Sequence, residues 1–258
     1  MSRIAGTFRK IKEKNGRAFI PYIMAGDPGI ERTRQLVKML EECGADIIEL
    51  GVPFSDPLAD GPTIQKAAQR ALRGGMTLAG VMELVAGLRR GTQIPIILMT
   101  YYNPVFRYGE ERFVRDASAA GVDGVIVPDL PPDEAGVLRK SARKADFDTI
   151  FLLAPTSTDE RIRTVARAST GFIYYVSMTG ITGAKLSMDS EIGSHIARIR
   201  QESGTPVGVG FGISTPEEAA AVCGFADGVI IGSAIVKRIE ETDEDLRAYL
   251  HSLRGAIA

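Results

Sequence analysis

Histidine and cysteine are scarce in this chain, and each scarcity removes a class of chemistry. His195 and His251 are the only imidazoles in 258 residues, and both fall within helical patterns, so neither a histidine metal site nor a histidine base is expected. Cys43 and Cys223 stand far apart at the ends of helical patterns, which reads as two buried thiols rather than a disulfide or a metal site. No lysine lies near the end of an apolar segment, with Lys185 in a loop beyond one, so covalent imine chemistry is disfavoured. An excess of one charge is also missing. Thirty-one Lys and Arg against 32 Asp and Glu leave a formal charge of −1, with no basic field for nucleic acid or an anionic membrane. No apolar run approaches the roughly 20 residues of a membrane helix. The first 16 residues are charged and lack the apolar core of a signal peptide. A cytoplasmic, metal-free protein is the expectation.

What is present is a regular alternation. Hydrophobic residues make up 45% and charged residues 24% of the chain, the balance of a globular protein with a large core. Eight short apolar segments, rich in Ile and Val, recur at 18–25, 46–52, 94–101, 124–127, 149–154, 172–177, 206–210 and 228–232. Helical stripes lie between them: Leu36, Val37, Leu40 and Cys43; Leu78, Val81, Met82 and Val85; Phe113, Val114 and Ala117; Ile162, Val165 and Ala166; Ile192, Ile196 and Ile199. Eight strand–helix units in one chain predict a single (β/α)8 TIM barrel, α/β in class, spanning residues 1–258 as one domain. An open doubly wound sheet is the alternative, because periodicity does not show closure.

Two additions to the barrel are predicted. Residues 1–15 form an extra N-terminal helix in which Ile4, Phe8 and Ile11 cover one end. A second extra helix, 63–73, follows strand two, with Ile64, Ala67, Ala68 and Leu72 on one face. Helix starts are read at Asp27-Pro28, Thr215-Pro216-Glu217-Glu218, Pro131-Pro132-Asp133-Glu134 and Thr158-Asp159-Glu160, where a capping side chain or acids precede the first turn. The long segment 178–189 after strand six contains Gly180 and Gly183 and few apolar residues. Like the 53–62 loop, it belongs to the C-terminal face, where such barrels carry their active sites.

The chemistry concentrates after strand two. Side chains alternate along a strand, so Ile48 and Leu50 share one face while Ile47, Glu49 and Gly51 share the other. If the first pair packs on helices, Glu49 points into the barrel, where lost hydration raises its pKa toward that of a general acid–base residue. Its structural reading is a carboxylate paired to a barrel arginine. Asp60 precedes Gly61-Pro62 and is read either as a second active-site acid or as an N-cap. Asp56, in Ser55-Asp56-Pro57, reads as a turn residue.

Glycine-rich turns follow strands seven and eight: Gly208-Val209-Gly210-Phe211-Gly212-Ile213-Ser214 and Gly232-Ser233-Ala234. Barrels commonly hold phosphate between these two turns, here by amides and the Ser233 hydroxyl. Tyr22, Met99, Tyr101, Ile126, Tyr174 and Phe211 lie near strand ends and would ring Glu49 with an apolar, aromatic wall for a flat substrate.

The run Glu49-Leu50-Gly51-Val52-Pro53-Phe54-Ser55-Asp56-Pro57-Leu58-Ala59-Asp60-Gly61-Pro62 resembles the signature of the tryptophan synthase α subunit family. The likeness continues through Pro21–Asp27, Gly180–Gly183, Gly210–Ser214 and Gly232–Val236, and so covers essentially the whole chain. The resemblance implies retro-aldol cleavage of indole-3-glycerol phosphate to indole and glyceraldehyde 3-phosphate, without a cofactor in this chain. It implies Glu49 as the acid–base residue and Asp60 as the partner of the indole N–H. Gly183, Gly212, Gly232 and Ser233 would hold the phosphate, and Tyr22, Ile64, Met99, Tyr101, Ile126, Tyr174, Thr182 and Phe211 would line the substrate. Thr182 would contact Asp60 on closure, and Tyr22 stands where many relatives carry Phe. It further implies a β subunit that carries pyridoxal phosphate, in an α2β2 heterotetramer, met through Pro53, Asp56 and the 128–132 segment with Asp129. Two other readings are a phosphosugar isomerase or epimerase on the same barrel and a non-catalytic subunit that activates a partner.

Overall fold

A computed structural model describes residues 2–176, 190–210, 212–239 and 241–257. The strands are β1 (Ala18–Met24), β2 (Ile48–Gly51), β3 (Ile96–Met99), β4 (Gly124–Ile126), β5 (Asp148–Ile150), β6 (Leu152–Leu153), β7 (Ile173–Val176), β8 (Val207–Gly210) and β9 (Gly228–Ile231). All pair in parallel, in the order β5-β4-β3-β2-β1-β9-β8-β7-β6. The two ends of that order are consecutive in sequence. The fifth predicted strand is divided at Phe151, its first half pairing with β4 and its second with β7, so residues 148–153 bring the sheet round on itself. This is the TIM barrel, with nine assigned strands in place of eight and no open doubly wound edge among the described residues.

Alternation separates two apolar layers. Ala18, Ile20, Ile47, Ile97, Ile126, Ile150, Phe172, Tyr174 and Ile230 fill the barrel interior. Ile48, Leu50, Ile96, Leu98 and Val125 pack outward with the buried stripes of the surrounding helices. The first helix, α1 (Arg3–Glu13), is capped by the Ser2 hydroxyl, which accepts from the Ala5 amide at 3.2 Å. Its Ile4 and Phe8 join the interior layer, Phe8 lying 5.7 Å from Phe172, so α1 plugs the N-terminal end as predicted.

The same end is tied by carboxylates that precede strands. Asp46 accepts the Phe19 amide and Arg254, Asp123 accepts the Ile96 amide, Arg3 and Arg89, and Asp227 accepts the Val207 amide and Arg200. Each acid fixes the start of the neighbouring strand and is itself held by an arginine.

Several local expectations are corrected. Helix α2 (Ile30–Glu42) is capped by Gly29 rather than Asp27, whose carboxylate is engaged by Arg70 instead. The predicted extra helix is present as α3 (Pro62–Arg73), but its buried face is Ile64, Ala67, Ala68 and Ala71, and Leu72 is exposed. After α4 (Leu78–Leu88) and β3 comes a short helix that periodicity did not show, α5 (Tyr102–Tyr108), ahead of α6 (Glu110–Ala120). Helix α7 (Gly136–Lys144) starts beyond Pro131–Glu134, which form turns. The starts at Thr158 for α8 (Asp159–Ala168) and Thr215 for α10 (Pro216–Cys223) hold, the latter with a complete capping box. Helices α9 (Ser190–Ser203), α11 (Ser233–Arg238) and α12 (Asp243–Ile257) complete the set. Cys43 is buried, Cys223 is half-buried, and both are free thiols. No single helix among the described residues is long and apolar enough to cross a membrane.

Candidate active site

Glu49 sits in the middle of β2 with its side chain on the interior face, above Ile47. It is 1% exposed, no lysine or arginine pairs with it among the described residues, and its Oε2 atom has no hydrogen-bond partner. Burial, and then the charge of Asp60, push its carboxyl up to about 8. The paired-carboxylate reading is therefore excluded. What remains is a dry, neutral acid at the mouth of the barrel.

Asp60 ends the loop between β2 and α3. The residue that caps α3 is Gly61, with no side-chain cap, so Asp60 is not an N-cap. The loop is folded by its own turns: the Leu58 amide donates to Asp56 O, the Asp60 amide to Pro57 O, and Gln65 Nε2 to Asp60 O. The Tyr101 hydroxyl accepts from the Ala59 amide at 3.0 Å and is hydrogen-bonded to the Asp60 carboxyl. Burial raises Asp60 to about 6 against the lowering effect of that bond. Two carboxyls in one site thus differ in protonation at neutral pH, Glu49 holding its proton and Asp60 having lost it.

Both acids open on one cavity of about 300 Å³, lined also by Tyr22, Ile64, Met99, Tyr174, Gly212, Gly232 and Ser233. Gly212 has a left-handed φ of +73°, which turns the chain after β8 toward the cavity. Tyr101 stands behind Asp60, and Ile126 lies in the interior layer; neither lines the cavity. Thr182, Gly183 and Phe211 lie outside the described residues. Ile213, Ile230 and Thr63 also line the cavity and were not singled out. Ile230 could have been found, since it alternates with Gly228 on the interior face of β9.

Of the residues read as partner-facing, Asp56 and Asp129 are exposed and Pro53 is buried. Asp129 Oδ1 accepts the Tyr102 amide at 2.8 Å at the start of α5, and Tyr102 packs on Phe106. Leu58 and Phe106 are the most exposed large apolar side chains in the described chain, at 93% and 65%.

A family model described as tryptophan synthase alpha chain matches residues 8–256. The chain belongs to the tryptophan synthase alpha chain family. It is 52% identical to the tryptophan synthase alpha chain of Geobacter sulfurreducens, over 100% of this chain and 99% of that one. It is 47% identical to the alpha chain of a Picosynechococcus species, with all of both chains covered. Among solved structures, tryptophan synthase subunit alpha from Legionella pneumophila superposes with a TM-score of 0.91 at 40% identity, over 100% of this chain and 98% of that one. Tryptophan synthase from M. tuberculosis in an aminoacrylate-bound form gives a TM-score of 0.91 at 38% identity, with 100% of each chain covered. Membership of the tryptophan synthase alpha chain family sets aside the isomerase and epimerase alternative.

Proposed function

We propose that Glu49 and Asp60 carry the reaction of this family, the retro-aldol cleavage of indole-3-glycerol phosphate to indole and glyceraldehyde 3-phosphate. The chain is thereby a carbon–carbon lyase and the α subunit of L-tryptophan biosynthesis. Cleavage requires a proton at indole C3 and removal of one from the carbinol hydroxyl, after which the bond between those carbons breaks. Glu49, neutral when substrate arrives, gives its proton to C3 and takes the hydroxyl proton as the aldehyde forms, so the carboxyl ends as it began. Asp60 accepts the indole N–H, and its charge opposes the positive charge that C3 protonation places on the ring nitrogen. Tyr101 fixes the Asp60 carboxylate from behind.

The remaining assignments follow the same cavity. Tyr22, Ile64, Met99 and Tyr174 flank the indole and the chain, while Gly212, Gly232 and Ser233 offer amides and a hydroxyl to the phosphate; Gly183 would join them there, and Thr182 would contact Asp60 beside the substrate. Phe211 would complete the apolar wall, while Ile126 packs in the interior layer of the barrel without lining the cavity. The reaction uses side chains alone, and pyridoxal phosphate belongs to a β subunit that receives the indole. That partner would seat on the face bearing Pro53, Asp56 and Asp129, where exposed Leu58 and Phe106 supply apolar surface, in a cytoplasmic α2β2 assembly. The whole chain then acts as one barrel unit.

One observation supports this reading above the others: Glu49 is buried, unpaired and in the same cavity as Asp60. The test is indole release by the purified chain, with and without a β subunit, for wild type and Glu49→Gln. Loss of turnover in a folded Glu49→Gln protein is expected. Turnover at the wild-type rate would overturn the assignment, and no response to a cognate β subunit would remove the partner face.

A further inference from the structure

The Tyr22 side chain belongs to the cavity wall, and its hydroxyl is a polar group with no hydrogen-bond partner among the described residues. The residue is 6% exposed. Buried tyrosines ordinarily find a partner for the hydroxyl, because an unmade hydrogen bond leaves the desolvation cost uncompensated. Phenylalanine would satisfy the packing alone.

The backbone makes room for that oxygen. Tyr22 on β1 is in register with Glu49 on β2, and the next inward position of β2 is Gly51. A Cβ on Gly51 would overlap the Tyr22 hydroxyl and crowd the ring. The glycine therefore gives up its side-chain space to the phenol, one step outward from Glu49. At its other end the tyrosine lies along Gly232, where a Cβ would sit 3.4–3.5 Å from the Tyr22 Cβ, Cγ and Cδ1 atoms. The side chain thus spans the distance from the turn that opens α11 to the strand that carries the acid. On the proposed reading of the site, the glycerol chain of the substrate covers the same distance, between phosphate and reacting carbon. The phenol keeps its proton there, since burial and the nearby carboxylates all oppose ionisation.

Resting on that reading, we propose that the Tyr22 hydroxyl donates a hydrogen bond to a hydroxyl of the substrate's glycerol chain. It selects a hydroxylated three-carbon linker over an apolar one. Tyr22 is a binding residue in this account, and the proton transfers remain with Glu49.

The experiment compares two ligands in the Glu49→Gln background, which is used to stop turnover. One is indole-3-glycerol phosphate; the other is indole-3-propyl phosphate, with the same ring and phosphate and no chain hydroxyls. Adding Tyr22→Phe is expected to weaken the glycerol ligand about 3- to 10-fold, the worth of one neutral hydrogen bond, and to leave the propyl ligand within about twofold. Equal weakening of both ligands would reduce Tyr22 to a packing role, and no weakening of either would refute the hydrogen bond. Melting curves of the two proteins check that both are folded. Indole release by the Glu49→Gln single variant at the wild-type rate would instead sink the acid–base assignment, which keeps the two failures apart.

Discussion

The Asp27 carboxylate, 1% exposed at the end of β1, accepts two hydrogen bonds from Arg70 on α3, at 2.6 Å from Nε and 2.8 Å from Nη2. A bidentate pair of this kind is among the stronger charge-assisted contacts. Helix α3 begins directly after Asp60 and Gly61 and contributes Ile64 to the cavity, so the pair sets how the acid-bearing loop returns to the barrel. Arg70→Met would leave a buried carboxylate without its guanidinium, at a cost of about 3–5 kcal/mol. Chemical denaturation should show that loss. Because the loop is also released, kcat should fall further than the fraction of unfolded protein explains. A stability loss with kcat unchanged would confine the pair to the scaffold.

Opposed protonation of the two acids predicts a bell-shaped profile. Activity in kcat/KM should rise as Asp60 ionises through about 6 and fall as Glu49 loses its proton through about 8. Asp60→Asn should flatten the acid limb. It should also draw the alkaline limb downward, since the Asp60 charge is one cause of the raised Glu49 value. A pH–rate series on both proteins checks this, and an alkaline limb that stays in place would show that the two groups do not interact.

The same raised carboxyl destabilises the fold as it ionises. Glu49 has a folded value near 8 against 4.5 for the free group, so the folded protein binds its proton more tightly. Its contribution to stability is full below 4.5 and is lost as pH rises through about 8. At about 1.4 kcal/mol for each tenfold change in proton affinity, the loss is on the order of 3–5 kcal/mol. Glu49→Gln cannot ionise, so it should melt higher than wild type at pH about 9 and close to it at pH about 4. Equal differences at both pH values would mean that Glu49 is not the group that titrates.

Glu49 was legible in the sequence because its position depends on a period of two. Once Ile48 and Leu50 face the helices, the residue between them has one direction to point. Asp60 was not legible as an acid, because a carboxyl before Gly-Pro and an apolar stripe is also what an N-cap looks like. Only the fold shows Gly61 in that role and Tyr101 holding the carboxyl. Asp27 was misread for a related reason. It stands before a proline, as a cap would, while its actual partner is 43 residues away on another helix. The division of the fifth strand at Phe151 follows from closure of the sheet, a long-range property that no local pattern carries. One signal was available and unused: Ala45-Asp46, Val122-Asp123 and Ala226-Asp227 repeat an apolar residue and an acid just before three strands, and these are the acids that staple the closed end.

Gly51 gives a test of the room made for Tyr22. Gly51→Ala should destabilise the protein by about 1–3 kcal/mol through overpacking, since its Cβ has nowhere to go. Shortening the opposing side chain, as in Tyr22→Leu, should recover part of that stability in the double variant, and a thermodynamic cycle measures the coupling. Additive losses would mean that the two side chains do not compete for the same space.

Asp123 provides the corresponding test at the end of the barrel remote from chemistry. Its carboxylate accepts the Ile96 amide at 2.8 Å and Arg89 at 2.6 Å, with Arg3 on the other oxygen at 2.8 Å. Asp123→Ala strands a mostly buried Arg89 and an unpaired strand amide together, and should cost about 3–5 kcal/mol. Asp123→Asn keeps an acceptor for the Ile96 amide and should cost less, which separates the lost charge from the lost backbone bond. Neither change reaches the cavity, so the folded fraction of either variant should keep the wild-type KM and pH profile. A shifted profile in folded Asp123→Asn would show that the closed end of the barrel is coupled to the acids at its mouth.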